Sequence, residues 1–106
     1  SNSGRAAMAN WTRTLASELG KFGITVNNVM PGFTKTARLE ALFKGKASRG
    51  GTTVDEVERD AIGTIPAGRL ADPRELALAM LFLASPAASY VNGVNFPVDG
   101  GRLAAQ

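Results

Sequence analysis

Two short runs of strand-forming residues, Ile24-Thr25-Val26-Asn27-Asn28-Val29-Met30 and Val94-Asn95-Phe96, stand on either side of a stretch dominated by helical patterning. Strands joined through helices pair in parallel by right-handed crossovers, and two strands alone do not make a stable sheet of that kind. The 106 residues are therefore expected to be α/β and to form a single partial domain, residues 1–106, belonging to something larger. The first run has apolar side chains on both faces, as a strand covered on two sides does, and Pro31-Gly32 stops it. The second follows Gly93 and runs into Pro97-Val98-Asp99-Gly100-Gly101, which reads as a turn.

Ahead of the first strand, Met8, Trp11, Leu15 and Leu19 recur at helical spacing, with Gly20 placed as a C-terminal cap. The small residues Ala6, Ala9 and Ala16 form a second face that lets a neighbour approach the backbone closely. Trp11 and the Leu/Met stripe read as core or subunit contact. Beyond the first strand the spacing predicts a short helix over residues 36–43, and Lys44-Gly45-Lys46-Ala47-Ser48-Arg49-Gly50-Gly51 reads as a flexible polar stretch, the most mobile part of the chain. Thr53 and Glu56 form a capping box, which puts Asp55, Glu56, Glu58 and Asp60 in the first turns of a helix, where its dipole favours acids. That accounts for the shared face of Glu56 and Asp60 without an acid/base role. Asp72, Pro73 and Glu75 open a further helix with a core stripe of Leu76, Met80 and Leu83, and Pro86 ends it near residue 84 or 85.

Cysteine and histidine are both absent. Disulfide scaffolds, thiol catalysis, cysteine-ligated zinc and a Ser-His-Asp triad are excluded, and any metal would have oxygen ligands only. A lone Asp99 does not make such a site, so no metal is expected. The net charge is +3, and five of the basic residues (Lys35, Arg38, Lys44, Lys46, Arg49) face a single acid, Glu40. With no aromatic side chains interleaved to stack bases, this segment reads as a solvated face ahead of an anion or nucleic-acid site, and no nucleic-acid partner is expected. The longest apolar run, residues 76–84, falls well short of the roughly 20 residues a bilayer-spanning helix needs. Without a signal pattern in the first residues, a cytoplasmic protein with no membrane partner is expected.

Four segments, in order and across nearly the whole chain, resemble the C-terminal portion of the short-chain dehydrogenase/reductase family. They are Ile24-Thr25-Val26-Asn27-Asn28-Val29-Met30-Pro31-Gly32; Ile65-Pro66-Ala67-Gly68-Arg69; Asp72-Pro73-Arg74-Glu75-Leu76; and Phe82-Leu83-Ala84-Ser85 running on through Ala88-Ser89-Tyr90-Val91-Asn92-Gly93 to Pro97-Val98-Asp99-Gly100-Gly101. The look is nearest to 3-oxoacyl-(acyl-carrier-protein) reductase-like members. The resemblance implies the C-terminal part of a Rossmann-type doubly wound parallel sheet, with two strands and flanking helices present. It implies an oxidoreductase using NAD or NADP to move a hydride to or from a small-molecule carbonyl or alcohol, and a homo-oligomer, dimer or tetramer. The family's glycine-rich phosphate loop, its Asn-Asn-Ala-Gly strand end and its catalytic serine precede the stretch matched, so these residues alone are expected to be incomplete and inactive.

By the same resemblance, the family's Tyr-x-x-x-Lys motif falls with the tyrosine at Ser1 and the lysine at Arg5, the two candidate catalytic positions. Pro31-Gly32-Phe33-Thr34-Lys35-Thr36 resembles the family's Pro-Gly loop, at the carboxyl end of a strand where open α/β sheets bind ligands. Pro31, Gly32, Thr34 and Thr36 are the candidate cofactor-binding residues: Gly32 lets the backbone approach the nicotinamide, the Thr34 main chain meets its carboxamide, and Thr36 bonds the carboxamide or pyrophosphate. The residues alone also allow a plain turn with a helix cap at Thr34 or Thr36. Residues 35–62 correspond to the substrate lid. Tyr90 falls where the family packs its sheet edge and reads as structural, and the Asp99 turn reads as a subunit contact. Ser1 and Arg5 leave a second reading open, a catalytically divergent dinucleotide-binding or scaffolding relative. A third is a folded remnant held together by self-association.

Overall fold

The computed structural model describes residues 2–105. The elements in chain order are α1 (Asn2–Leu19), a 3-10 turn (Gly20–Phe22), β1 (Asn28–Pro31), α2 (Ala37–Gly50), α3 (Val54–Gly63), α4 (Pro73–Ala84), a 3-10 turn (Pro86–Ala88) and β2 (Asn95–Val98). β1 and β2 pair with each other. The Asn28 N–H donates to Val94 O and the Gly32 N–H to Val98 O, both at 2.9 Å, and this constant offset makes the pair parallel. Two compact units divide the chain: one of the residues up to Met30 with Leu78–Phe96, the other of Pro31–Ala77 with the residues from Pro97 onward.

In the first unit, asparagine side chains hold the backbone where a strand was expected to begin. The Val26 N–H donates to Asn92 Oδ1 at 2.9 Å, and the Val94 N–H donates to Asn27 Oδ1 at 3.1 Å. Asn27 Nδ2 donates back to Val91 O, so side-chain amides interrupt the ladder around the one main-chain bond from the Gly93 N–H to Val26 O, and β1 starts only at Asn28. The expected strand over residues 24–30 is thus shorter at its start, and β2 lies one residue later than the run 94–96 suggested. Asn92 Nδ2 also donates to Ala16 O at 3.1 Å, docking α1 through its small-residue face. Ala16, Thr12 and Ala88 are the buried residues of this unit.

Of the stripes read as core or subunit contact, Met8, Trp11, Met80 and Phe82 are exposed while Leu15, Leu19, Leu76 and Leu83 are half-buried; Leu78 and Leu81 also face outward, and no residue of α4 is fully buried. Tyr90 is fully exposed as well and packs no sheet edge. A smaller correction concerns the end of α1. Gly20 continues the chain into a 3-10 turn, and the left-handed cap is Gly23, at φ 76°.

The second unit builds its own core from α2 and α3. Leu39, Phe43 and Ala47 recur every four residues and bury against Val57, with Phe33, Ala61 and Leu70 packed around them. The stretch 44–51, expected to be flexible, is therefore the second half of one helix. Burial of Ala47 carries α2 past Gly45, and Gly51 closes it at φ 65° with its N–H on Ala47 O. Both expected helix starts hold. Thr53 Oγ1 accepts from the Glu56 N–H at 3.2 Å, although the Glu56 carboxylate takes the Thr52 hydroxyl rather than reaching back. At α4 the Asp72 N–H donates to Glu75 Oε1 at 2.9 Å.

Candidate functional site

The loop leaving β1 is anchored on both sides. The Gly32 N–H finishes the pairing with Val98, and a parallel bridge joins Thr34 to Ala71, with the Ala71 N–H on Phe33 O at 2.9 Å and the Lys35 N–H on Ala71 O at 2.8 Å. In a parallel bridge the residues flanking Thr34 make the bonds, so the N–H and C=O of Thr34 itself point to the opposite side. Among the described residues neither has a hydrogen-bond partner. The Thr34 hydroxyl is turned back onto Gly32 O at 3.1 Å, which stiffens the loop without covering that open edge.

Thr36 opens α2. Its extended backbone and its Oγ1, accepting from the Leu39 N–H at 3.2 Å, make it the N-cap. A hydroxyl that accepts still has its own hydrogen, and among the described residues the Thr36 O–H donates to nothing. Gly32 has a reason inside the fold: an added Cβ would lie 2.6 Å from Asp99 Cβ and 2.7 Å from Asp99 Cα. Asp99 is itself occupied, with Oδ1 accepting from Gly101 N–H and Oδ2 from Leu103 N–H, each at 3.0 Å.

The segment that templates this loop is clamped by charge. The Arg69 guanidinium grips both oxygens of Glu75, Nη1 to Oε1 at 2.7 Å and Nη2 to Oε2 at 2.9 Å, on either side of Ala71 in sequence. The bond from Arg69, helped by the Asp72 N–H, holds the Glu75 carboxyl down at about 2, and Glu75 raises the Arg69 pKa in turn. Sequence reasoning passed over Arg69, Ala71 and Glu75 as site residues, because nothing in their spacing shows that Ala71 will meet Phe33 and Lys35.

Pro31, Gly32, Thr34 and Thr36 thus come together in one loop at the C-terminal end of β1. Arg5 is exposed on α1 and belongs to the other unit, and Ser1 lies outside the described residues. The Glu56 carboxylate accepts the Thr52 hydroxyl. Among the described residues no cluster of carboxylates is arranged to hold a metal, and no helix is long and apolar enough to cross a membrane.

A parallel strand pair with a loop at its carboxyl end, in a chain otherwise built of helices, is part of the arrangement of an α/β nucleotide-binding fold. The model of a family described as enoyl-(acyl carrier protein) reductase matches residues 2–102, and the chain belongs to the short-chain dehydrogenase/reductase family. It is 39% identical over 97 residues to a 3-oxoacyl-(acyl-carrier-protein) reductase of Vibrio harveyi, covering 92% of this chain and 35% of that protein. A short-chain dehydrogenase family protein of Francisella tularensis superposes with a TM-score of 0.88 at 34% identity, over 93% of this chain and 41% of that one. An NADPH-dependent reductase involved in bacilysin biosynthesis does so with a TM-score of 0.83 at 31% identity, over 92% of this chain and 37% of that one. The Rossmann-type α/β fold expected from the sequence is the fold of these structures. The chain spans little more than a third of the length of the curated relatives it matches.

Proposed function

We propose that these residues form the nicotinamide-side and substrate-covering part of an NAD(P)-dependent oxidoreductase, one that interconverts a carbonyl and an alcohol in a small molecule. The observation that carries this reading is the open main-chain edge of Thr34. Its N–H suits the oxygen of a carboxamide and its C=O suits the amide N–H₂, so one residue matches both halves of the nicotinamide's side group. The Thr36 hydroxyl, held by its capping bond, has a hydrogen to give to the carboxamide or the pyrophosphate. NAD or NADP, when bound, supplies or takes up the hydride; the chain's own residues orient the ring and exclude water around it. Pro31 and Gly32 set where the loop leaves the strand, and residues 35–62, built as α2 and α3, cover the substrate.

At the positions that carry tyrosine and lysine in the family stand Ser1 and Arg5. Arginine does not serve in a proton relay as lysine can, and a serine hydroxyl is a far weaker acid than a phenol. These two residues favour the second reading, a catalytically divergent relative that binds dinucleotide or serves as a scaffold. The outward-facing Trp11 and Leu81 support assembly as a dimer or tetramer. We place the protein in the cytoplasm, where NAD(P)H is the working reductant, and read the 106 residues as one part of a Rossmann-type domain.

The test pairs NADPH fluorescence titration with turnover on a panel of ketones and aldehydes, using the protein at the full length its gene encodes. Binding with turnover supports the oxidoreductase; binding without turnover supports the divergent relative. Absence of binding overturns the oxidoreductase and the dinucleotide-binding relative and leaves only the scaffold. Thr36→Asp keeps a capping acceptor but removes the donor, so α2 stays helical while cofactor affinity falls by about tenfold, the loss of one charge-assisted hydrogen bond. Unchanged affinity would reduce Thr36 to a cap.

A further inference from the structure

The second unit carries a groove that takes Phe33 from the cofactor loop but none of the candidate cofactor-binding residues Pro31, Gly32, Thr34 and Thr36. It is a cavity of about 360 Å³ along the outer side of α2 and α3, within the roughly 300–1,000 Å³ range of small-molecule sites. Its floor is apolar: Phe33, Leu39, Phe43 and Ala61 line it, and Leu42 beside them is largely exposed. Around it stand Lys46, Arg49 and Arg102, with Asp60 as the one facing acid. No ion pair within the described residues joins Asp60 to any of the three cations.

Arg102 is held in a way that surface arginines usually are not. Its guanidinium carbon sits 4.7 Å from the centroid of the Phe33 ring, and its Nε–H donates to Thr64 Oγ1 at 3.1 Å. The Thr64 hydroxyl is in turn oriented by donating to Ala61 O at 2.7 Å. Stacking and one hydrogen bond thus fix the plane, while among the described residues both terminal nitrogens lack a partner. An arginine fixed before its ligand arrives presents a two-pronged donor to a planar anion at little further ordering cost. Lys46 and Arg49 lie on the same face of α2 as Leu39 and Leu42, so their positive field covers the same groove.

We propose that this groove binds an aliphatic monocarboxylate, with its hydrocarbon body on Phe33, Leu39, Leu42 and Phe43 and its carboxylate on the terminal nitrogens of Arg102. The occupant follows from charge complementarity. A cationic amphiphile would meet three like charges, and a neutral one would leave the Arg102 fork unused. The groove is lined by the segment 35–62 that covers the substrate in the reading above, but carboxylate binding is read without cofactor or turnover, so the two can fail separately.

Calorimetric titration of the full-length protein with decanoate tests it, with decanol and decyltrimethylammonium as chain-matched controls. Saturable one-to-one binding of decanoate is expected, about tenfold weaker for decanol and undetectable for the cation. Arg102→Gln lowers decanoate affinity by about tenfold and brings it to the level of decanol. Lys46→Gln and Arg49→Gln, at exposed positions of α2, lower it by smaller factors and reduce its salt dependence, and they keep the test open if Arg102→Gln does not fold. Leu42→Asn weakens decanoate and decanol alike. Equal binding of the cation, no saturable binding of decanoate up to about 1 mM, or decanoate binding that these variants leave untouched would each overturn the proposal.

Discussion

The two units of this chain solve the same problem with opposite success. In the second, α2 and α3 share Leu39, Phe43, Ala47 and Val57 and close a core between themselves. In the first, α1 buries only Thr12 and Ala16, α4 buries no residue fully, and Trp11 and Leu81 turn outward at 60% and 64% exposure. Helical amphipathicity is present in both, so patterning is not what separates them. The difference is whether the partner for the apolar stripe lies within the same 106 residues. A helical hairpin carries its partner next to it in sequence, whereas the stripes of α1 and α4 need a surface from elsewhere, such as more sheet or another subunit.

The sharpest way to break this comparison is a pair of truncations. Phe43→Ala opens a cavity in the closed core and should cost about 3–5 kcal/mol, seen as lost hydrogen-exchange protection across α2 and α3, whereas Leu81→Ala in the 106-residue chain should change protection in α4 by less than about 0.5 kcal/mol. Comparable losses at the two positions would show that α4 is covered after all. Next in size is Gly32→Ala, whose methyl would have to displace the Asp99 backbone rather than the end of a flexible side chain. About 1–3 kcal/mol is expected, with faster exchange of the Gly32 amide where it meets Val98. A neutral result would mean that the strand ends are not tightly joined.

The smallest effect belongs to the Arg69–Glu75 clamp, which is exposed and screened by solvent. Because the Glu75 carboxyl is lowered from its ordinary 4.5 to about 2, the clamp's contribution is complete above about pH 4.5 and is lost as pH falls through 2. Glu75→Gln should lower stability by a small, constant amount above about pH 4.5 and converge with the parent as pH falls towards 2, so that its profile is flatter across that acid window, as measured by thermal unfolding against pH. A variant profile as steep as the parent's would show that other carboxylates dominate.

Helix starts were legible because their signals are local. Thr53 with Glu56, and Asp72-Pro73 with Glu75, need only three or four consecutive residues to satisfy their own amides, and the structure places those caps as expected. The cofactor loop was legible through resemblance, and the cap at Thr36 through its residue type. What stayed hidden involves partners distant in sequence. Asn27 stands inside the first expected strand and Asn92 ahead of the second, and nothing in their spacing shows that their side chains will take up the amides of residues 94 and 26. Lys44 to Gly51 read as a flexible tract because Gly45, Gly50 and Gly51 weaken the local helix signal, and the burial of Ala47 in the α2–α3 core outweighs Gly45.

By itself, then, the amino-acid sequence determined the α/β class, the family, the starts of the helices and the loop at the end of β1, since each rests on short-range stereochemistry or on residues adjacent in the chain. Tertiary structure alone decided which apolar stripes are buried, why Gly32 must lack a side chain, and that Ala71 fixes the loop from Phe33 to Lys35 so that Thr34 keeps an open edge. Those outcomes depend on which surfaces come within van der Waals and hydrogen-bonding distance, and distance between residues far apart in sequence exists only once the chain has folded.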